Sequence, residues 1–273
     1  MIVGHKKVID SLKDLAKENV LSHGYIFSGP SMVGKSLVAR FFANYLENGK
    51  FSEPELLIDA QVFSSPSGGT VGIDTVREIK QFLWQKPVKS PRRTAIIDGA
   101  ERLTPEAQNA LLKIAEEPPP SSLLILVTSD TESLLETLRS RLQVVYFSLV
   151  RKDEIADWLE KDLGTNKMEA EKLAKNSFGK PGFAMALKSD ERLADSINTA
   201  EKFFKLAGET RSAFIKELIK PDDFALNNFL DSLILYLTLK PEKRNPLLWH
   251  KVLELKSRSA NFGLNPRIQL ENL

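Results

Sequence analysis

The chain has no cysteine, which removes disulfides, thiolate nucleophiles and cysteine-ligated zinc from consideration. Its three histidines, His5, His23 and His250, are scattered with no metal-ligand spacing. No apolar run reaches the roughly 18 residues that suggest a membrane span. The opening Met1-Ile2-Val3-Gly4-His5-Lys6-Lys7 lacks the long apolar stretch of a signal peptide. These absences lead us to expect a cytoplasmic protein that does not engage membranes. An excess of one charge is also lacking. The formal net charge is +2, so no global field draws the molecule onto nucleic acid, and any such contact has to be local or shared among chains. What is present suits a folded protein: 42% hydrophobic and 27% charged residues in 273, enough chain for two or three domains.

Residues 1–147 alternate between helical and strand patterns. Val8, Leu12, Leu15 and Ala16 fall at helical spacing. Tyr25-Ile26-Phe27, Thr94-Ala95-Ile96-Ile97, Leu123-Leu124-Ile125-Leu126-Val127 and Val144-Val145-Tyr146-Phe147 are short apolar runs of strand type. Such runs separated by helices predict a parallel sheet covered on both faces. After Leu149 the strand signal ends. Short helices are predicted over 150–190, with Gly164 and Gly179-Lys180-Pro181-Gly182 as punctuation. Helices are predicted again over 195–273, divided at Pro221, Pro241 and Pro246. Phe229–Leu237 is apolar nearly all round and too short for a bilayer, which predicts a buried bundle helix.

The strongest chemical signal is Gly29-Pro30-Ser31-Met32-Val33-Gly34-Lys35-Ser36, which fits G-x-x-x-x-G-K-[ST] between a strand and a helix. The glycines let backbone amides close around phosphate oxygens, and the helix N-terminus adds a favourable dipole. Lys35 would reach the outer phosphates, and the Ser36 hydroxyl would help hold magnesium. A second strand ending in an acidic residue is needed on the magnesium side, and Thr94–Asp98 supplies it with Asp98. Met32 is bulky where many loops of this kind carry glycine. After Asp98 comes Gly99, which cannot orient or activate a water molecule. Glu101 is the only nearby substitute, and it reads more readily as an exposed carboxylate at a helix start. The parts for holding a nucleotide are present, and the usual part for cleaving it is not.

Four further segments carry a family resemblance. Gln108-Asn109-Ala110-Leu111-Leu112-Lys113-Ile114-Ala115-Glu116-Glu117-Pro118-Pro119 resembles the NALLKTLEEPP segment of bacterial AAA+ clamp loaders. Gly72-Ile73-Asp74-Thr75-Val76-Arg77-Glu78-Ile79 is similar to their GID-x-[IV]-R-E-[IL] segment. Leu138-Arg139-Ser140-Arg141-Leu142 resembles their Ser-Arg-Cys motif with leucine in place of cysteine. The ending Asn265-Pro266-Arg267-Ile268-Gln269-Leu270-Glu271-Asn272-Leu273 resembles their N-P-R-x-x-L-E-N-L.

The resemblance implies an α/β P-loop AAA+ domain over 1–149, a helical lid over 150–194 and an all-α collar that oligomerises over 195–273. It implies a hetero-pentamer with delta and tau or gamma subunits, which opens a sliding clamp at primer–template DNA. ATP or ADP with Mg2+ would be the cofactor, with Ser36 and Asp98 on the metal and no zinc. Arg141 would act in trans on a neighbour's ATP as an arginine finger, a surface ion pair being the plainer reading. Ser129 would sense the terminal phosphate, and Val3-Gly4-His5 would lie beside the adenine. Gly182 stands where motor subunits carry a sensor arginine, and Lys180 two residues away is expected to be solvated. The stretch from Asn44 to Leu56 is too short for the family's zinc module. Loss of the glutamate and the sensor arginine, with Arg141 kept, fits the delta prime class better than the motor class. A hydrolysing tau/gamma-like subunit, with Glu101 as rescuer, and a P-loop small-molecule kinase are the alternatives.

Overall fold

The computed structural model describes residues 2–65, 69–220, 224–240, 245–261 and 265–273. Pro221 and Pro241, two of the expected helix dividers, lie outside the described residues.

A parallel sheet of five strands forms from β1 (Gly24–Ser28), β2 (Ala60–Phe63), β3 (Arg93–Asp98), β4 (Ser122–Thr128) and β5 (Gln143–Tyr146), in the spatial order β2-β3-β4-β1-β5. Four of these were legible as apolar runs. β2 was not: Gln61 and Val62 are exposed on this edge strand, so it carries no continuous apolar signal.

Alternate side chains of the central strands enter two cores. Tyr25, Phe27, Ile96, Leu123, Ile125 and Val127 pack with Leu12 of α1 (Lys6–Lys17) and with Val38 and Phe42 of α2 (Lys35–Asn48). Ile26, Ala95, Ile97, Leu124 and Leu126 pack on the other face against Ile79 and Leu83 of α3 (Ile73–Leu83) and Leu111 and Ile114 of α4 (Pro105–Glu116). Each fully buried large side chain contributes about 1.5–3 kcal/mol, so these two layers fix the strand register.

A buried ion pair secures the edge. Asp59 is 1% exposed and Arg93 8%, and Nη1 of Arg93 lies 2.9 Å from Oδ1 of Asp59. The amides of Val88, Lys89 and Ser90 also donate to the Asp59 carboxylate at 2.6–2.9 Å, which ties the segment before β3 to the one before β2.

The chain divides into two compact units, one ending at Ala184 and the other running from Met185 to Leu273. In the first, α5 (Glu136–Arg139) joins β4 to β5, the sheet is followed by α6 (Lys152–Lys161) and α7 (Lys167–Asn176), and the division falls within α8 (Pro181–Ser189). The second unit contains α9 (Glu191–Lys205), α10 (Gly208–Leu218), α11 (Leu226–Leu239), α12 (Pro246–Asn261) and α13 (Pro266–Glu271). As the apolar pattern predicts, α11 buries Phe229, Leu230, Leu233, Tyr236 and Leu237. Phe203 of α9 meets Phe229 edge-on at 5.6 Å between ring centroids. The ending that resembles N-P-R-x-x-L-E-N-L forms α13: Asn265 caps it by accepting from the Arg267 amide at 3.1 Å, and Leu270 is buried. Ser212 of α10 donates to Glu271 at 2.8 Å, which fastens α13 to α10. Among the described residues no helix is long and apolar enough to cross a membrane.

Candidate functional site

The carboxyl ends of β1, β3 and β4 lie side by side. Ser28 pairs with Thr128 and Asp98 with Val127 across the sheet, so the loops after these strands emerge together. Open parallel sheets bind ligands at this edge.

The first loop, Gly29 to Gly34, joins β1 to α2. Lys35, at the start of α2, is 6% exposed. Its ammonium donates to the carbonyls of Gly29 at 2.7 Å and Pro30 at 2.6 Å, which lays the side chain back along the loop. Val33 is buried beneath the loop, and Ser31 and Met32 are exposed. At Gly34 nothing lies within 4 Å of where a Cβ would stand, leaving room beside the loop amides. The Ser36 hydroxyl donates to Oδ2 of Asp98 at 2.8 Å, bringing together the two residues assigned to magnesium.

The N-terminal segment also reaches the loop. The His5 ring donates to the Val33 carbonyl at 3.0 Å and meets Phe147 edge-on at 4.9 Å. Burial holds its imidazole below the ordinary pKa, against the raising effects of the Val33 carbonyl and Glu154. Val3, half-buried, lies two residues earlier.

The acidic turn differs from its reading in the sequence. Gly99 takes φ +79°, a left-handed conformation, and Ala100–Arg102 form a 3-10 turn. Glu101 is half-buried there: the Ser129 hydroxyl donates to Oε1 at 3.0 Å and the Ser129 amide to Oε2 at 3.3 Å. Burial pushes the Glu101 carboxyl up, but its own amide, Ser129 and Thr128 outweigh that and hold it below the usual carboxylate range. Burial likewise lowers the Lys35 pKa, opposed first by Glu101 and then by Asp98. Glu101 is therefore an electrostatic neighbour of Lys35. The sequence predicts an exposed helix-start carboxylate here; the structure makes it half-buried and bonded to Ser129.

Arg141 stands elsewhere. It precedes β5, whose Gln143 is level with Tyr25 at the start of β1. The phosphate loop begins after Ser28, about 10 Å further along the strand at 3.3 Å per residue. Arg141 is partly exposed, with Nη1 donating to the Thr137 carbonyl at 2.6 Å and Nη2 paired with Oε1 of Glu116 at 2.8 Å. It thus lies at the opposite end of the sheet from its own phosphate loop. Gln108, quoted above only as part of a family-like segment, turns out to be a buried pin. Its Nε2 donates to the carbonyls of Leu103 and Ser133 at 3.3 and 3.0 Å, and its Oε1 accepts from the Leu135 amide at 2.7 Å. A polar residue on the apolar side of an amphipathic helix was the available signal.

The donor set fits a magnesium nucleotide: open space beside the loop amides, a lysine already bonded to oxygen acceptors, and a hydroxyl–carboxylate pair. Among the described residues no three His, Cys, Asp or Glu side chains are grouped to hold a metal. Magnesium held by Ser36 and Asp98 would thus take its remaining oxygens from phosphate and water.

This sheet, with its phosphate loop, acidic strand end and following helices, is the AAA+ class of P-loop fold. The family described as DNA polymerase III, delta subunit, matches residues 4–151, and the chain belongs to it. It is 32% identical over 163 residues to DNA polymerase III subunit gamma/tau of Mycobacterium tuberculosis, a match covering 55% of this chain and 28% of that protein. The subunit delta' of Haemophilus influenzae is 30% identical over 146 residues, covering 54% of this chain and 45% of the relative. With the gamma subunit of Buchnera aphidicola from Acyrthosiphon pisum it shares 25% over 281 residues, covering 97% and 70%. The chain therefore spans 28% of the length of its gamma/tau relative. Among solved structures, a gamma subunit-related protein of Thermotoga maritima aligns over 96% of both chains with TM-score 0.52 and 23% identity. RuvB of the same organism aligns over 85% of this chain and 77% of its own with TM-score 0.54 and 19% identity. These structural likenesses speak for the fold.

Proposed function

We propose that this chain is a clamp-loader subunit of the delta prime type, which binds ATP or ADP with magnesium at residues 29–36 and does not cleave it. The observation that carries the reading is the contrast at one site: Lys35, Ser36 and Asp98 are arranged to hold phosphates, while the position after Asp98 is Gly99 in a left-handed turn. Bound ATP supplies a phosphoanhydride, and cleaving it needs a carboxylate that orients water. In this reading Val3 and His5 border the base, and Ser129 faces the terminal phosphate. Arg141, at the other end of the sheet, serves a nucleotide held by a neighbouring subunit. The division into a nucleotide domain over 1–149, a lid over 150–194 and a collar over 195–273 belongs to the same proposal. So do the delta and tau or gamma partners, the sliding clamp, primer–template DNA and a cytoplasmic location.

One observation favours a second reading, a hydrolysing motor-type subunit. Glu101, three residues after Asp98, is held by the Ser129 hydroxyl at 3.0 Å, and its charge opposes the lowering of the Lys35 pKa by burial.

The deciding experiment pairs ATPase activity of the purified chain with equilibrium binding of a labelled ATP analogue. Binding without turnover supports the first reading. Turnover that disappears in Glu101→Gln establishes the second, and no binding at any concentration rejects a nucleotide site.

A further inference from the structure

We infer that His5 is a positioning residue for the phosphate loop: by bonding the Val33 carbonyl it aims the Gly34 amide at a bound nucleotide's phosphates. The inference rests on the nucleotide binding proposed above and gives His5 a task beyond bordering the base.

The argument starts from one peptide plane. The Val33 carbonyl and the Gly34 amide belong to the same trans peptide, so they point in opposite directions. The His5 ring donates to that carbonyl at 3.0 Å, which turns the Gly34 N–H away from the N-terminal segment. On Gly34 nothing lies within 4 Å of where a Cβ would stand, so a phosphate oxygen has room beside this residue. Left to itself the plane is easily inverted. A flip changes only ψ of Val33 and φ of Gly34, and glycine accepts φ of either sign. Gly34 is observed at φ 104°. The preceding plane is held differently, because the Met32 carbonyl accepts from the Gly182 amide at 2.9 Å. Backbone therefore secures one plane of the loop and the His5 side chain secures the next.

His5 is itself held firmly enough to do this. It caps α1 at φ 57°, ψ 20°, a left-handed backbone that histidine tolerates better than most residues. Its carbonyl accepts from the Ile9 amide at 3.0 Å. Before it, a Cβ on Gly4 would stand 2.8 Å from Cγ2 of Val150, so the chain entering α1 lies against that residue. The ring meets Phe147 edge-on at 4.9 Å, and a Cβ on Gly29 would collide with the Phe147 carbonyl. Phe147 thus closes on the first residue of the loop while His5 reaches the fifth. Burial lowers the imidazole pKa, opposed by the Val33 carbonyl and Glu154 and helped by the charge of Lys35. A neutral imidazole has one N–H and a carbonyl can only accept, so that proton sits on Nε2.

The test uses the full chain, fluorescent N-methylanthraniloyl ATP and ADP, and displacement of the labelled ADP by inorganic tripolyphosphate, which has no base. His5→Phe keeps an aromatic ring and removes the donor. His5→Asn suits the left-handed backbone but is one bond too short to reach Val33, and it serves if the phenylalanine variant does not fold. His5→Gln places an amide N–H at the reach of Nε2. One amide contact to a phosphate corresponds to about a tenfold change in affinity. His5→Phe and His5→Asn should each weaken both nucleotides and tripolyphosphate by about tenfold, and His5→Gln should stay within about threefold of wild type. Losses confined to the nucleotides, with tripolyphosphate unchanged, make His5 a base contact only and overturn the inference. A glutamine variant as weak as phenylalanine overturns it too, since the donor is then not the cause. Wild-type affinity in His5→Phe and His5→Asn, even with a lowered melting temperature, leaves His5 a structural role and overturns the inference while nucleotide binding stands. If wild type binds neither nucleotide, inference and proposed function fall together.

Discussion

Replacing Gly99 with glutamate restores, on paper, the acidic pair of an AAA+ hydrolase. The structure says that it should fail twice. Gly99 sits at φ 79°, ψ 48°, where a side chain costs about 1–2 kcal/mol in backbone strain. A Cβ there would stand 2.3 Å from Nη2 and 2.7 Å from Nε of Arg102. The guanidinium must move, giving up its 3.4 Å bond to the Asp98 carbonyl. Moving a flexible tip is cheaper than moving backbone, so about 1 kcal/mol is added and the total comes to about 2–3 kcal/mol. At about 2–4 °C per kcal/mol for a chain of this size, the unit holding the sheet should melt about 4–12 °C lower. The new carboxylate would also lie against Arg102 and pair with it, away from the phosphates. Thermal unfolding and ATPase assays of Gly99→Glu, Gly99→Ala and Gly99→Asn check both points. Alanine should be destabilised much as glutamate is. Asparagine, which tolerates left-handed backbone, should lose about half as much. A Gly99→Glu protein that melts with wild type, or turns over ATP at motor-like rates, refutes the reasoning.

Arg141→Ala removes a partly exposed ion pair worth about 0–1 kcal/mol, so the isolated chain should melt nearly unchanged. In a reconstituted loader the same variant should slow a neighbouring subunit's ATPase by at least about tenfold, and an unchanged rate rejects the trans role. Asp59→Asn leaves the Arg93 guanidinium buried without its counter-charge, at a cost of about 3 kcal/mol measurable by urea unfolding at pH 7. Burial pushes the Asp59 carboxyl up, but the amides of residues 88–90 and Arg93 prevail and hold it below its ordinary value. Its stabilisation is therefore fully present above the unfolded carboxylate pKa of about 3.9 and is lost as pH falls through the lower folded value. The acid limb of the wild-type stability curve should flatten in Asp59→Asn.

The central strands were legible because they are buried on both faces and read as unbroken apolar runs, as in Leu123–Val127. The edge strand β2 was hidden for the opposite reason: half of Ala60–Phe63 faces solvent. The phosphate loop was legible because its chemistry demands fixed residue types at fixed spacing, and Lys35, Ser36 and Asp98 converge as that spacing implies. The setting of Glu101, and the approach of the α8 entry to the phosphate loop, were not legible because they come from segments distant in sequence. Ser129 approaches Glu101 only once β3 and β4 pair, and Met32 meets Gly182 only once α8 folds back. Local sequence carries no trace of such meetings.

One helix links the acidic turn to Arg141. α4 is capped by Thr104, which accepts from the Ala107 amide at 3.2 Å, only three residues beyond Glu101. Its last residue, Glu116, holds Arg141. Its twelve residues span about 18 Å at 1.5 Å per residue, comparable to the length of a central strand. In its first turn, Gln108 pins the Ser133–Leu135 segment that leads into α5 and on to Arg141, and all three of its hydrogen bonds are to backbone. Leu111 and Ile114 fix the same helix to the sheet. Arg141 is thus held through a rigid helix that starts at the acidic turn. Its position relative to the sheet is set by packing and backbone hydrogen bonds, and the Glu116 pair only orients the guanidinium. Loss of Glu116 should therefore leave the placement of the arginine intact, whereas loss of Gln108 would release the segment that carries it.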